Sequence, residues 1–155
     1  MKPLFVLIGV FIISLFATRY ATGTYNFALS GNIAMAAMLV FTTIGHFAFP
    51  KGMAMMVPNF VPFKTGMVYL TGLLELAFAI GLLLKDWRLE TAWALLAFLA
   101  IMLPANIKAA LQHIDYQKGT FDGPGPNYLW FRIPLQLFFM GWVYFFSIEP
   151  GIFAS

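Results

Sequence analysis

Five side chains in this sequence combine a reactive or strongly hydrogen-bonding type with a place inside an apolar stretch: His46, Glu75, Asn106, Arg132 and Gln136. An imidazole, a carboxylate and a guanidinium can hold or move a proton and form charge-assisted hydrogen bonds, and the two amides can fill the donors and acceptors left over. Ionisable groups at membrane depth are costly and usually face a bundle interior or a water-filled cavity, so each one is informative. Two arrangements satisfy them. In the first, Glu75 and Arg132 form a buried ion pair that locates two helices, and His46, Asn106 and Gln136 take up the remaining polar atoms. In the second, the five groups line a pocket for a lipid-soluble molecule with carbonyl or hydroxyl ends. Glu75 and Arg132 are expected within salt-bridge distance, with the other three lining the same cavity. Gln136 follows Arg132 by four residues, which places both on one helix face. None of the five is assigned a catalytic role.

The elements that must position these groups follow from composition. The chain has 155 residues, 61% of them hydrophobic and 10% charged, against roughly one-quarter charged in a soluble domain. This excludes an ordinary water-soluble enzyme, a large aqueous domain and a nucleic-acid module. The formal net charge of +3 fits loop lysines facing anionic lipid. Five apolar runs, at residues 3–18, 27–49, 65–84, 91–111 and 128–147, come close to the roughly 20 residues that cross a bilayer core. Runs of that length with so few charges read as helices, and they lack the alternation of a membrane barrel strand. The expected fold is therefore all-α and integral to a membrane, a single domain over 1–155 with runs two to five as a four-helix bundle and run one as an added N-terminal helix. Lys2, the apolar stretch 4–17 and the small residues Ala21, Thr22 and Gly23 also fit a signal peptide; the segment is read here as a retained helix.

The connections differ in character. Residues 50–63 read P-K-G-M-A-M-M-V-P-N-F-V-P-F, too greasy for an aqueous loop, and are expected as an interfacial strap held by Phe60 and Phe63 or as a lid over a pocket. Pro50, Pro58 and Pro62 shape that segment, and Pro104 is expected to kink run four or to help line the cavity. Residues 113–127 form the one hydrophilic loop. With five crossings, Lys2, Lys51, Lys64, Lys108 and Lys118 fall on one side and Arg19, Lys85 and Arg88 on the other, which favours a cytoplasmic N-terminus. All five polar residues then lie in the same half of the bilayer as the Pro-Met segment.

Other chemistry is weakly supported. There is no cysteine, so the chain has no thiol chemistry, Cys zinc site or iron–sulfur cluster of its own. His46 and His113 as a bis-histidine haem pair, or Asp115 and Asp122 as calcium ligands, lack supporting residues, and no metal site is expected. No phosphate-cradling glycine loop, nucleophile elbow or metalloprotease motif is present.

The strings G-H-F-A-F-P at 45–50, M-V-P-N-F-V-P at 56–62, V-Y-L-T-G-L-L-E at 68–75, L-P-A-N-I at 103–107 and F-R-I-P-L-Q at 131–136 together resemble the bacterial DoxX family. The resemblance covers about residues 33–146 and implies a DoxX-like four-helix core over 27–149, with 1–26 as an added helix and loop. It also implies a bacterial cytoplasmic membrane. Family members are similar to a membrane subunit of quinone-coupled sulfur-compound oxidation, or are linked to redox-stress complexes, and more distant relatives include a receptor-assembly chaperone. Carried over by position, the matching residues are His46, Pro50, Pro58, Pro62, Glu75, Pro104, Asn106, Arg132 and Gln136. Two functions are expected to compete. One is a small-ligand subunit that binds a quinone or a lipid and supports a redox partner. The other is a non-catalytic assembly, scaffold or chaperone-like protein. Membrane lipids, a redox protein or a second copy of the chain are the expected partners, with quinone as the one possible cofactor.

Overall fold

Runs of apolar residues too long to stay in water become five spanning helices in the computed structural model, which describes residues 2–153. In order they are α1 (Lys2–Thr22), α2 (Phe27–Ala48), a short α3 (Pro50–Met56), α4 (Lys64–Leu83), α5 (Arg88–Leu111) and α6 (Leu129–Val143). A 3₁₀ turn, Pro126–Tyr128, leads into α6 and a π-helical turn, Tyr144–Ile148, continues it, so that the fifth span runs over Pro126–Ile148. The protein is an all-α membrane protein of five spanning helices.

α2 is the centre of the bundle. It packs against α1 and α4 and also touches α6 and the π-helical turn, and half of it (50%) is buried inside the protein, against 11% of α1. Its small residues make this possible, because Gly31, Ala34 and Ala36 let neighbouring helices come close. At its start Asn26 accepts a hydrogen bond from Leu29 N at 2.9 Å, an N-cap that meets one of the first turn's unpaired donors. The four-helix core is α2, α4, α5 and α6. α1 lies on its outside, where Phe11 meets Trp142 and Phe146 edge-on at 4.9 and 5.3 Å between ring centres.

Polar atoms lock the end of the bundle away from α3. Asn32, fully buried, donates to the Ala28 and Phe146 carbonyls at 2.8 and 2.9 Å and accepts from Ser147 Oγ at 2.7 Å. Trp142 Nε1 donates to the Gly31 carbonyl at 3.0 Å. The π-helical turn presents its Phe146 carbonyl and Ser147 hydroxyl to Asn32, so the wider turn satisfies a buried amide that an unbroken α-helix would meet differently.

Candidate ligand site under the Pro-Met segment

The other end of the bundle carries the site. The segment after α2 folds over: Pro50 starts α3, as a proline with no N–H to lose can, and α3 packs on α4 and α5. Gly52 is buried against the Tyr116 carbonyl of the 112–125 loop, where any Cβ would collide. From Val57 the chain turns back, tied by Lys108 of α5, whose Nζ donates to the Val57 carbonyl at 2.6 Å and to Asn59 Oδ1 at 3.2 Å. Lys64 Nζ donates to the same Asn59 oxygen at 3.0 Å. Phe60 and Phe63 point outward, 86% and 88% exposed, as interfacial anchors do. Pro62 is exposed beside them.

Beneath this cover lies a cleft of about 580 Å³. Its walls include His46, Glu75, Asn106 and Gln136, together with Pro58 and Pro104. Met53, Met56 and Met67 line it as well, and Ile101, 68% exposed, stands at its rim, so the mouth opens on the lipid-facing surface. Arg132 is not in this lining; it lies in a neighbouring cleft.

The expected ion pair is corrected by the structure. Glu75 and Arg132 form no ion pair within 4 Å; Glu75 Oε1 instead lies 3.4 Å from His46 Nε2, and Arg132 Nη2 donates to Asn106 Oδ1 at 2.7 Å. The reason is helix order. α4 lies along α2, whereas α6 faces α5, so the carboxylate finds the histidine of its own neighbour and the guanidinium finds the amide of its neighbour. Gly72 makes the α2–α4 approach close, since a Cβ there would sit 2.8 Å from that of His46.

Hydrogen bonding fixes what the His46–Glu75 pair can do. His46 Nδ1 is 2.9 Å from the Val68 carbonyl, which can only accept, so Nδ1 carries a proton. Thr71 Oγ1, 3.2 Å from the same nitrogen, also donates to that carbonyl at 2.9 Å. With Nδ1 committed to that carbonyl, Nε2 is the ring nitrogen that faces Glu75 Oε1, at 3.4 Å. The Thr42 hydroxyl lies 2.9 Å from Glu75 Oε2, to which it can donate, and 2.9 Å from the Leu39 carbonyl. Both side chains stand in the wall of the apolar cleft.

On α5, which runs unbroken through Pro104, that proline has no N–H to give to the carbonyl four residues back. The adjacent Leu99 carbonyl accepts from Gln136 Nε2 at 2.9 Å, leaving the Gln136 oxygen as a further acceptor at the cleft. Thr42, Thr71 and Lys108 were not among the site residues expected from the sequence, where Lys108 entered only the charge count that set the orientation. A threonine in a span usually bonds back to its own helix, as both of these do, and so gives no signal of its second role. Asn32 did carry a signal, an amide in an apolar run, but it belongs to the opposite end. His113 does not join His46: it adopts a left-handed φ of 53° in the loop, packed on Gly125. Asp115 and Asp122 share Lys118 at 3.8 and 3.7 Å. Among the described residues no group of three or more His, Cys, Asp or Glu is placed to hold a metal ion.

A family model described as "Domain of unknown function (DUF8561)" matches residues 35–147. The chain belongs to the DUF8561 family. The DUF8561 match takes in α3 to α6, most of α2 and all five polar residues of the site, and leaves out α1. No curated protein and no solved structure matches the chain.

Proposed function

We propose that this protein is a small-ligand membrane subunit whose cleft binds a lipid-soluble quinone and exchanges a proton with it through His46 and Glu75. The observation that carries this reading is the approach of His46 Nε2 to Glu75 Oε1, at 3.4 Å, in the wall of an apolar cleft open to lipid. A quinone ring is flat and apolar with two carbonyl acceptors that take up protons when reduced. His46, with Glu75 beside its Nε2, would supply a proton from Nε2 to a carbonyl oxygen as the ring takes up electrons. Met53, Met56 and Met67 give the ring a soft, adaptable surface, and the Gln136 oxygen accepts from a hydroquinone hydroxyl.

Electrons must come from a partner. The chain has no cysteine, and its side chains offer no electron carrier, so a redox protein docked at the membrane is the proposed source. The resemblance of the motif strings to the DoxX family supports the same reading, and we propose DoxX-like membership and a bacterial cytoplasmic membrane with the N-terminus inside. The scaffold alternative calls for an interior filled by side chains, and a cleft of about 580 Å³ counts against it.

The test is quinone binding to protein in nanodiscs of defined lipid, followed by intrinsic tryptophan quenching and by native mass spectrometry. Wild type should retain a quinone, and Glu75→Gln and His46→Gln should each weaken binding about 10- to 100-fold, the range of one or two charge-assisted hydrogen bonds. Wild type that binds no ubiquinone or menaquinone analogue would overturn the proposal.

A further inference from the structure

Arg132 is a cation at membrane depth that pairs with no carboxylate among the described residues; none lies within 4 Å of it. Its hydrogen bond to Asn106 uses one of the five N–H donors of a guanidinium. The Tyr128 ring, 5.8 Å from its central carbon, adds a cation–π contact and no charge. An uncompensated charge in such a place costs several kcal/mol, so a counter-ion is expected to supply what the protein does not.

The room for one exists. Arg132 lines a second cleft of about 550 Å³, bounded by α2, α3, the 112–125 loop and the start of α6. Lys2 stands at the same cleft, and Tyr116 and Tyr128 line it beside Arg132. The one acidic residue in that lining, Asp115, is turned into its own loop, where Oδ1 accepts from the Gln117 and Lys118 amides at 3.0 and 3.2 Å and Oδ2 lies 3.8 Å from Lys118 Nζ. Phe41 and Ile44, 37% and 60% exposed, form the lipid-facing wall.

We infer that this second cleft is an anion site for a phosphate group, with Arg132 as its central cation, Lys2 at its rim and the apolar wall of Phe41 and Ile44 positioned for acyl chains. A guanidinium fork matches two phosphate oxygens at once, and a phenol hydroxyl can donate to a third. The chemistry is shared by an anionic phospholipid headgroup and by free phosphate. The inference does not rest on the quinone reading, because its central cation, Arg132, lines this cleft and not the other, and none of its tests involves His46 or Glu75.

The experiment measures the melting temperature of the purified protein in a neutral detergent during titration with phosphatidylglycerol, phosphatidylcholine or inorganic phosphate. Phosphatidylglycerol should raise it at concentrations at least tenfold below those of phosphatidylcholine. A rise with the lipid alone assigns the headgroup, and a rise with inorganic phosphate as well assigns the free anion. No difference between the two lipids, with no effect of phosphate, overturns the inference. Arg132→Gln should remove the phosphatidylglycerol preference, a loss of about 10- to 100-fold. Should that variant not fold, Lys2→Gln, an exposed change, should still lower the apparent affinity several-fold, and Lys85→Gln at the other end of the bundle should leave it unchanged. Equal losses in the two lysine variants would mark a diffuse surface effect and would also overturn the site.

Discussion

At His46 the backbone decides which nitrogen does chemistry. The Val68 carbonyl claims Nδ1, and Nε2 is left facing Glu75 at 3.4 Å. An amide in place of the acid can keep both of its neighbours, Nε2 and the Thr42 hydroxyl, in a hydrogen bond. In Glu75→Gln the amide N–H can donate to a neutral Nε2 while its oxygen accepts from Thr42. That variant should therefore keep its stability within about 1 kcal/mol of wild type, whereas Glu75→Leu should lose about 1–3 kcal/mol through two abandoned polar partners. Thermal unfolding in detergent separates them, and equal losses would mean that the pair is a conventional ion pair with a fixed charge. Reading the sequence for charges at depth found both residues because ionisable groups in apolar runs are rare. It matched Glu75 to the wrong partner because depth says nothing of azimuth: which helix lies beside α4 is settled by packing at Gly72 and Thr43, whose hydroxyl donates to the Gly72 carbonyl at 3.2 Å.

The cover is held by fewer bonds than the helices it crosses. α3 has 7 residues, and the stretch beyond it relies on Lys108 and Lys64 reaching Asn59 and on Lys108 reaching the Val57 carbonyl. Methylene stems of this length tolerate an apolar setting while the ammonium stays at a polar edge. Lys108→Met keeps the stem and removes the tie. Amide hydrogen exchange should rise at least several-fold across residues 57–63 and stay unchanged in the central turns of α2, because local opening is governed by the contacts of the segment itself. Protection that falls equally everywhere would place Lys108 in the global fold and not in the cover. The prolines and methionines announced a segment unlike an aqueous loop. The helical first half and the lysine clasp were not legible, because they depend on Tyr116 and Lys108, which are distant in sequence.

For the whole molecule, length and hydropathy sufficed for five spanning helices, and the order of apolar runs sufficed for their antiparallel course. What stayed hidden were the endings. The π-helical turn at Tyr144–Ile148 and the Asn32 lock arise from a fit between the first span of the core and its last, and no local pattern encodes a contact between residues 32 and 147. The distribution of positive charge gives an orientation that can be checked directly, because the chain contains no cysteine to interfere. Single cysteines at exposed Lys51 and Lys85 should react with a membrane-impermeant maleimide from opposite sides of a sealed vesicle, Lys51→Cys from the cytoplasmic face. Labelling of both from one side would contradict five crossings, and the reverse pattern would invert the orientation.

Met53, Thr42 and Tyr116 stand in the walls of both clefts. A partition shared by two chambers cannot yield toward one without changing the volume of the other, so we propose that the two occupancies are thermodynamically linked. Linkage is reciprocal: whatever factor a bound phosphate group applies to quinone affinity, bound quinone must apply to phosphate affinity. Calorimetric titration of each ligand in the presence and absence of the other should give the same factor in both directions, and Met53→Ala, which thins the partition, should move that factor toward one. A protein of 155 residues would then report the anionic lipid content of its membrane through the loading of its quinone, with no moving domain.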